Sequence, residues 1–218
     1  MMTPFTDTLR IETPGIYAIR SLSDLLDESA ARHQHLCPRQ VLGARLGLLG
    51  AQLLGIDLPN AAKRLLVIVE TDGCFADGIS VATGCTVGAR TLRLIDHGKV
   101  AAVFVDTKTD RAVRLIPSKT SRTLAREYAP IARSRWHAQL EAYQIMPDDE
   151  LFDVQPVELT LSMEKLLSKP GRKAICERCG EEIINEREVI QEGRTLCRAC
   201  AGDGYWRGLP RSPSARSL

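Results

Sequence analysis

Seven cysteines and four histidines stand in this 218-residue chain, and spacing gathers most of them into two groups. Near the C-terminus, Cys176-Glu-Arg-Cys179 and Cys197-Arg-Ala-Cys200 form the pattern C-x2-C-x17-C-x2-C. A two-residue gap lets both thiolates of a pair point at one ion. Four thiolates then close a tetrahedral zinc shell with no open position. Gly180 suits the tight turn of a zinc knuckle, Gly193 turns a hairpin, and Ile183, Val189 and Leu196 offer a minimal core. Two independent redox pairs would need neither the metal-ligand spacing nor the hairpin between them. A module this small lacks a sufficient core without its metal, so the spacing predicts one structural zinc per chain that builds a scaffold and performs no catalysis.

The second group is His33, His35, Cys37, Cys74 and Cys85. In an extended segment, alternate residues share a face, which would point His33, His35 and Cys37 the same way. Cys37 precedes Pro38, a residue suited to the first turn of a helix, and Cys74 lies just ahead of another helix start. Both positions favour a thiolate through the positive end of the helix. Asp72 and Asp77 flank Cys74 and are placed to orient imidazoles from behind. Cys85 lies in Thr83-Gly-Cys-Thr-Val-Gly88, where glycines would expose the thiol, although a cysteine among hydrophobes is as readily a core filler. Mixed imidazole–thiolate ligation suits zinc, nickel or iron and disfavours magnesium or calcium.

These residues must be held by elements that the sequence also suggests. A first helix is expected over about 21–31, capped by Ser21 or Ser23, and a second begins at Pro38. In the second, Leu42, Leu46, Leu49 and Leu53 form a core stripe. Gly43, Gly47 and Gly50 form a neighbouring stripe that admits close approach by another element. Leu65–Glu70 reads as a buried strand, followed by a short helix ending near Gly84. Strands near 91–95, 100–106 and 111–116, joined by short polar turns that include Asp96-His-Gly-Lys99, predict an antiparallel meander. A long helical stretch over 118–144 is interrupted or kinked at Pro130, and a last strand is expected around 156–161. The class is therefore α+β: an antiparallel sheet with flanking helices, plus a small zinc-finger domain of treble-clef or ribbon-like type. The divisions are an N-terminal segment 1–20, a core domain 21–162, a linker 163–173, the finger 174–206 and a disordered tail 207–218.

Composition narrows the partners. The net charge is only +2, and residues 171–203 carry six basic and seven acidic side chains. That is a poor footprint for phosphate binding, so nucleic acid is not expected as a partner despite the Tyr205-Trp-Arg207 cluster. The opening MMTPFTDTLRIETPG lacks a basic-then-apolar leader pattern. The most apolar stretch, 41–54, is too short for a bilayer and is interrupted by Arg45 and Gln52. Free-thiol usage then points to a cytoplasmic protein with no membrane partner. No dinucleotide fingerprint, phosphate-binding Gly-rich loop or serine-nucleophile elbow is present.

His33-Gln-His-Leu-Cys-Pro38 with Val41-Leu-Gly43 and Gly47, Asp72-Gly-Cys-Phe-Ala-Asp-Gly-Ile79, Thr83-Gly-Cys-Thr-Val-Gly88 and Asp96-His-Gly-Lys99 together resemble the FmdE family of formylmethanofuran dehydrogenase-associated proteins. With the four-cysteine finger, the resemblance runs from about residue 20 to residue 206. It implies a core metal site on His33, His35, Cys37 and Cys74, with Cys85 near it, and a homodimer. It also implies an accessory link to a molybdenum- or tungsten-dependent enzyme. Gln34 and Arg39 stand where the family pattern has glycine, and His97 stands where it has tyrosine and could add a ligand or proton donor. The leading expectation is a metal-handling or redox partner of a larger oxidoreductase. A metalloenzyme using the core site is the alternative, and a zinc-finger transcriptional regulator is a third reading that the charge balance disfavours.

Overall fold

A computed structural model describes residues 20–207. The expected N-terminal segment and tail, with Arg211 and Arg216, lie outside the described residues except at Arg20 and Arg207. The chain divides into two compact units at Leu159/Thr160.

The first unit opens with α1 (Leu22–His33). The Ser21 hydroxyl accepts from the Asp24 N–H and the Asp24 carboxylate accepts from the Ser21 N–H, a reciprocal cap. The helix runs two residues past its expected end and is closed by Gln34 in the left-handed conformation, φ +62°. His33 is therefore helical, and the expected shared extended face for His33, His35 and Cys37 is not formed. The helix keeps going because Arg32 and His33 suit a helix C-terminus.

Next comes α2 (Pro38–Leu54), buried on nearly all sides, with Leu42, Leu46 and Leu49 in the core as the leucine stripe required. It is followed by β1 (Leu65–Val69), α3 (Cys74–Thr83) and β2 (Leu92–Leu94). The glycine stripe is used as expected: a Cβ at Gly43 would lie 2.2 Å from the Phe75 carbonyl oxygen, and one at Gly78 would lie 2.3 Å from the Gln40 carbonyl oxygen. The two helices thus touch backbone to backbone. The order of contacts, Gly43 with Phe75 and Ile79, Gly47 with Ala82 and Thr83, makes them run in the same direction.

The remaining strands are β3 (Ala102–Asp106), β4 (Ala112–Pro117) and β5 (Phe152–Val157). Sheet order is β2-β1-β3-β4-β5, with β1–β2 parallel and every other pair antiparallel. This corrects the meander: β1 inserts between β2 and β3, because α3 carries the chain back to start β2 parallel to β1. The five residues of β1 are all buried, as its unbroken Leu-Leu-Val-Ile-Val run demands. β5 begins four residues before the expected strand. It is an edge strand, so Pro156 costs no ladder bond on its open side. Pro130 does break the long helical stretch, into α4 (Ser121–Tyr128) and α5 (Arg135–Ala142), and a short α6 (Asp148–Leu151) precedes β5.

The second unit includes α7 (Met163–Leu167) inside the stretch expected to be linker, capped by the Ser162 hydroxyl. Two hairpins follow: β6 (Lys173–Ile175) with β7 (Glu182–Ile184), and β8 (Val189–Gln191) with β9 (Arg194–Leu196). The second turns on Glu192 and Gly193, both at positive φ, the pairing a two-residue hairpin loop prefers. A helical turn, Ala199–Asp203, is the last element among the described residues. Hairpin and helical turn with a knuckle before them match the treble-clef alternative. Cys176, Ile183 and Leu196 form the buried centre, while Val189 is only half-buried.

Candidate metal centres

In the finger, the four sulfurs of Cys176, Cys179, Cys197 and Cys200 all lie within 4.8 Å of one another, and Cys179 Sγ is 3.9 Å from Cys197 Sγ. A tetrahedral zinc with bonds of ~2.3 Å needs sulfur–sulfur edges of ~3.8 Å, so the set fits the ion. Gly180, at φ +76°, donates its N–H to the Cys176 carbonyl and closes the knuckle. Backbone N–H groups of Cys197 and Cys179 hold the Cys176 thiol down to about 6. The neighbouring Cys197 thiol pushes Cys200 up to about 12. Four thiols at this spacing cannot all ionise against one another, and a divalent cation removes that conflict. No fifth donor lies in the cluster among the described residues, so the zinc would be a closed scaffold.

The core group is assembled by three helix ends. His33 is the last residue of α1, Cys37 caps α2, and Cys74 is the first residue of α3. Parallel packing of α2 and α3 puts both thiols at one end. Cys37 is fixed by Gln40, whose side-chain oxygen accepts the Cys37 N–H at 2.7 Å while its amide donates to the Ser29 carbonyl and hydroxyl of α1. Gln40 and Ser29 were not anticipated, although a glutamine three residues after a cap position is a readable signal.

His33 Nε2 bonds the Asp77 carboxylate at 2.6 Å, and His33 Nδ1 lies 4.0 Å from Cys74 Sγ. With Asp77 accepting from Nε2–H, the Nδ1 lone pair faces the thiol. Burial, then the hydrogen bond with the Cys37 thiol, pushes Cys74 above its ordinary value. That reverses the expectation that the helix N-terminus would favour its thiolate: two thiols share one corner, and desolvation outweighs the dipole.

The other anticipated residues scatter. His35 is exposed, with Nδ1 at 2.9 Å from the His33 carbonyl oxygen and its ring centroid 6.2 Å from that of His33. Asp72 lines a separate cleft of about 290 Å³ with Asp77 and Ser80. His97 sits in its exposed turn, 3.8 Å from the Glu70 carboxylate, which Arg114 holds below the usual carboxylate range. Cys85 is fully buried and not loop-exposed: it meets the Asn60 amide at 3.3 Å and the Leu65 carbonyl. The ten residues of α3 separate it from Cys74 by ~15 Å, so it is a core residue and no neighbour of the cluster. Among the described residues, only the finger brings three or more donors within 4.8 Å of one another.

Beside the two thiols opens a cleft of about 440 Å³, walled by Leu42, Val100, Pro117 and Trp136. Arg39 and Arg122 line it, and no acidic side chain does. Among the described residues, no helix is long and apolar enough to cross a membrane.

The FmdE family model (FmdE, molybdenum formylmethanofuran dehydrogenase operon) matches residues 32–153. A model of the prokaryotic dksA/traR C4-type zinc finger matches residues 169–203. A probable S-adenosyl-L-methionine-binding protein from Archaeoglobus fulgidus is 28% identical over 210 residues, which cover 84% of this chain and 54% of that protein. The chain thus spans about half the length of that curated relative. The fold is shared with the crystal structure of a tungsten formylmethanofuran dehydrogenase FmdE-like protein from Syntrophus aciditrophicus. The TM-score is 0.57 at 19% identity, covering 86% of this chain and 96% of that one. With the family match spanning more than half of its residues, and the four-cysteine finger following it, this chain belongs to the FmdE family.

Proposed function

We propose that the chain carries a second transition ion, zinc, nickel or iron, at His33, Cys37 and Cys74, with exposed His35 as a further donor, and that it handles this metal for a larger oxidoreductase. The observation that supports the reading most is the convergence of three donors at three helix ends, with Asp77 hydrogen-bonded to the far nitrogen of His33. Metal-ligating histidines characteristically carry such a carboxylate behind them. Two thiols in one partly desolvated corner also resist joint ionisation, and a divalent cation is the simplest compensating charge. The bound ion would supply Lewis acidity or redox capacity, while His33 and the two cysteines orient it and Asp77 fixes the imidazole tautomer.

Membership of a family named for the formylmethanofuran dehydrogenase operon supports an enzyme of that type, or a related one, as partner. The same kinship supports a cytoplasmic homodimer. A metalloenzyme working at the core site is not better supported, and S-adenosyl-L-methionine stays with the longer relative that is named for it. Elemental analysis of the purified full chain tests the reading. Wild type should hold two metals per chain, and Cys37→Ala and Cys74→Ala should hold one. One metal in all three proteins would reduce the molecule to its structural zinc and end the proposal. Sedimentation at micromolar concentration checks the dimer.

A further inference from the structure

We propose that the cleft beside Cys37 and Cys74 binds a small monocarboxylate ligand with an apolar body, clamped by Arg39 and Arg122 and laid against Trp136. The proposal rests on the core-site reading only in making the cleft the approach to that site. Its volume of about 440 Å³ falls within the range of small-molecule sites, and it is mostly apolar with a few polar groups, as such sites are.

Charge selects the ligand class. Several arginines of this unit are matched to carboxylates among the described residues, including Arg45 to Asp148, Arg64 to Asp106 and Arg114 to Glu70, while Arg111, Arg126 and Arg135 are not. Arg39 and Arg122 make no ion pair or side-chain hydrogen bond among the described residues. They come from different elements, the first turn of α2 and the first turn of α4, yet line one cleft that contains no acidic group. Two arginines lining a space without a counter-charge suit a planar anion, which a guanidinium recognises by paired hydrogen bonds. Trp136 is 44% exposed although most large apolar side chains of this unit are buried, and its ring forms one wall of the same cleft. A flat or aliphatic body lying on that wall would cover it. Two guanidinium groups without a lysine or a glycine-rich loop suit one carboxylate better than a phosphate, which draws more donors.

The test uses the full chain with Trp206→Phe. This leaves Trp136 as the sole tryptophan, because the sequence holds two. Benzoate, benzyl alcohol and inorganic phosphate are titrated against Trp136 fluorescence, once as purified and once after metal chelation. Benzoate should give a saturable change and benzyl alcohol none. Arg39→Gln and Arg122→Gln, with unchanged circular dichroism, should each weaken benzoate about tenfold or more. Equal responses to benzoate and benzyl alcohol, tighter binding of phosphate, no saturable response, or unchanged affinity in both arginine variants would each overturn the proposal. Because metal content is measured separately, benzoate binding by protein that holds a single metal per chain as purified, with the same content in both cysteine variants, would end the core-site reading and leave the carboxylate cleft standing.

Discussion

Replacing Gly78 by alanine tests the packing on which the core group depends. Helix propensity alone would make the change favourable by about 1 kcal/mol in the middle of α3. Sterics oppose it. The new Cβ would sit 2.3 Å from the Gln40 carbonyl oxygen and 2.9 Å from the Ala44 nitrogen, both in the backbone of α2. Ordinary contact begins near 3.4 Å, so the helices must part by ~1 Å. A gap of that size forfeits a quarter to a half of each dispersion contact across the interface. The obstacle is main chain in a helix buried on nearly all sides, so the cost lies at or above the top of the usual overpacking range, roughly 3–4 kcal/mol. The net effect is a loss of about 2–3 kcal/mol. With a urea slope near 2 kcal/mol/M, the midpoint should fall by about 1–1.5 M. Urea unfolding followed by circular dichroism measures it. Gly88→Ala is the control: nothing lies within 4 Å of its added Cβ, and its change should stay within about 0.5 kcal/mol. A Gly78→Ala protein as stable as wild type would refute the account of how Cys37 and Cys74 meet.

Cys197→Ser should cost the finger its zinc equivalent and leave 174–203 open to protease, because Cys176, Ile183 and Leu196 are too small a core to hold it; mass mapping of limited digests should show residues 20–159 still protected. Asp106→Asn should cost about 2–3 kcal/mol at pH 7, since Asp106 is buried and accepts from Arg64, the Lys108 N–H and the Thr109 hydroxyl. Arg64 above all holds its carboxyl far below the usual range, so the stabilisation is complete above the unfolded value near 3.9 and is lost as pH falls through the folded value. The gap between wild type and variant should therefore close below about pH 4, and a gap that widens there would contradict the assignment. Gln34→Gly should raise the melting temperature by about 1–3 °C, because the left-handed φ of +62° is strained for glutamine and free for glycine; a lower melting temperature would show that the Gln34 side chain supports the turn.

What the sequence made legible was local. The finger follows from four cysteines within twenty-five residues, and a ligand spacing is a nearly complete description of so small a fold. The stripes of α2 were legible because helical period alone assigns them, and Gly43, Gly47 and Gly50 announced a close neighbour without naming it. The neighbour is α3, seventy residues into the chain, and no local pattern identifies such a partner. The insertion of β1 between β2 and β3 was hidden for the same reason: three consecutive strands read identically whether they pair in order or around a crossover. Cys85 misled because its flanking glycines suggest an open loop. The bond from Asn60 and the contact with Leu65 that bury it come from 20 to 25 residues away.

The two positions where the resemblance leads one to expect glycine show how differently one residue type can be required. At Gln34 the backbone is left-handed, so glycine is the unstrained choice there and glutamine is tolerated at a cost. Arg39 lies in the first turn of α2 and is not among the residues with positive φ, so its backbone makes no such demand. A glycine at 39 would serve space rather than conformation, leaving the cleft wall bare beside Cys37. An arginine there keeps the helix and changes what the cleft can hold. The backbone around Cys37, fixed by Gln40 and the Gly43–Phe75 contact, is indifferent to the exchange, whereas the electrostatics of the space beside the thiols are not. Differences in ligand between this chain and a relative with glycine at this position should therefore trace to the charge at residue 39, and Arg39→Gly is the substitution that should convert one preference into the other without loss of the fold.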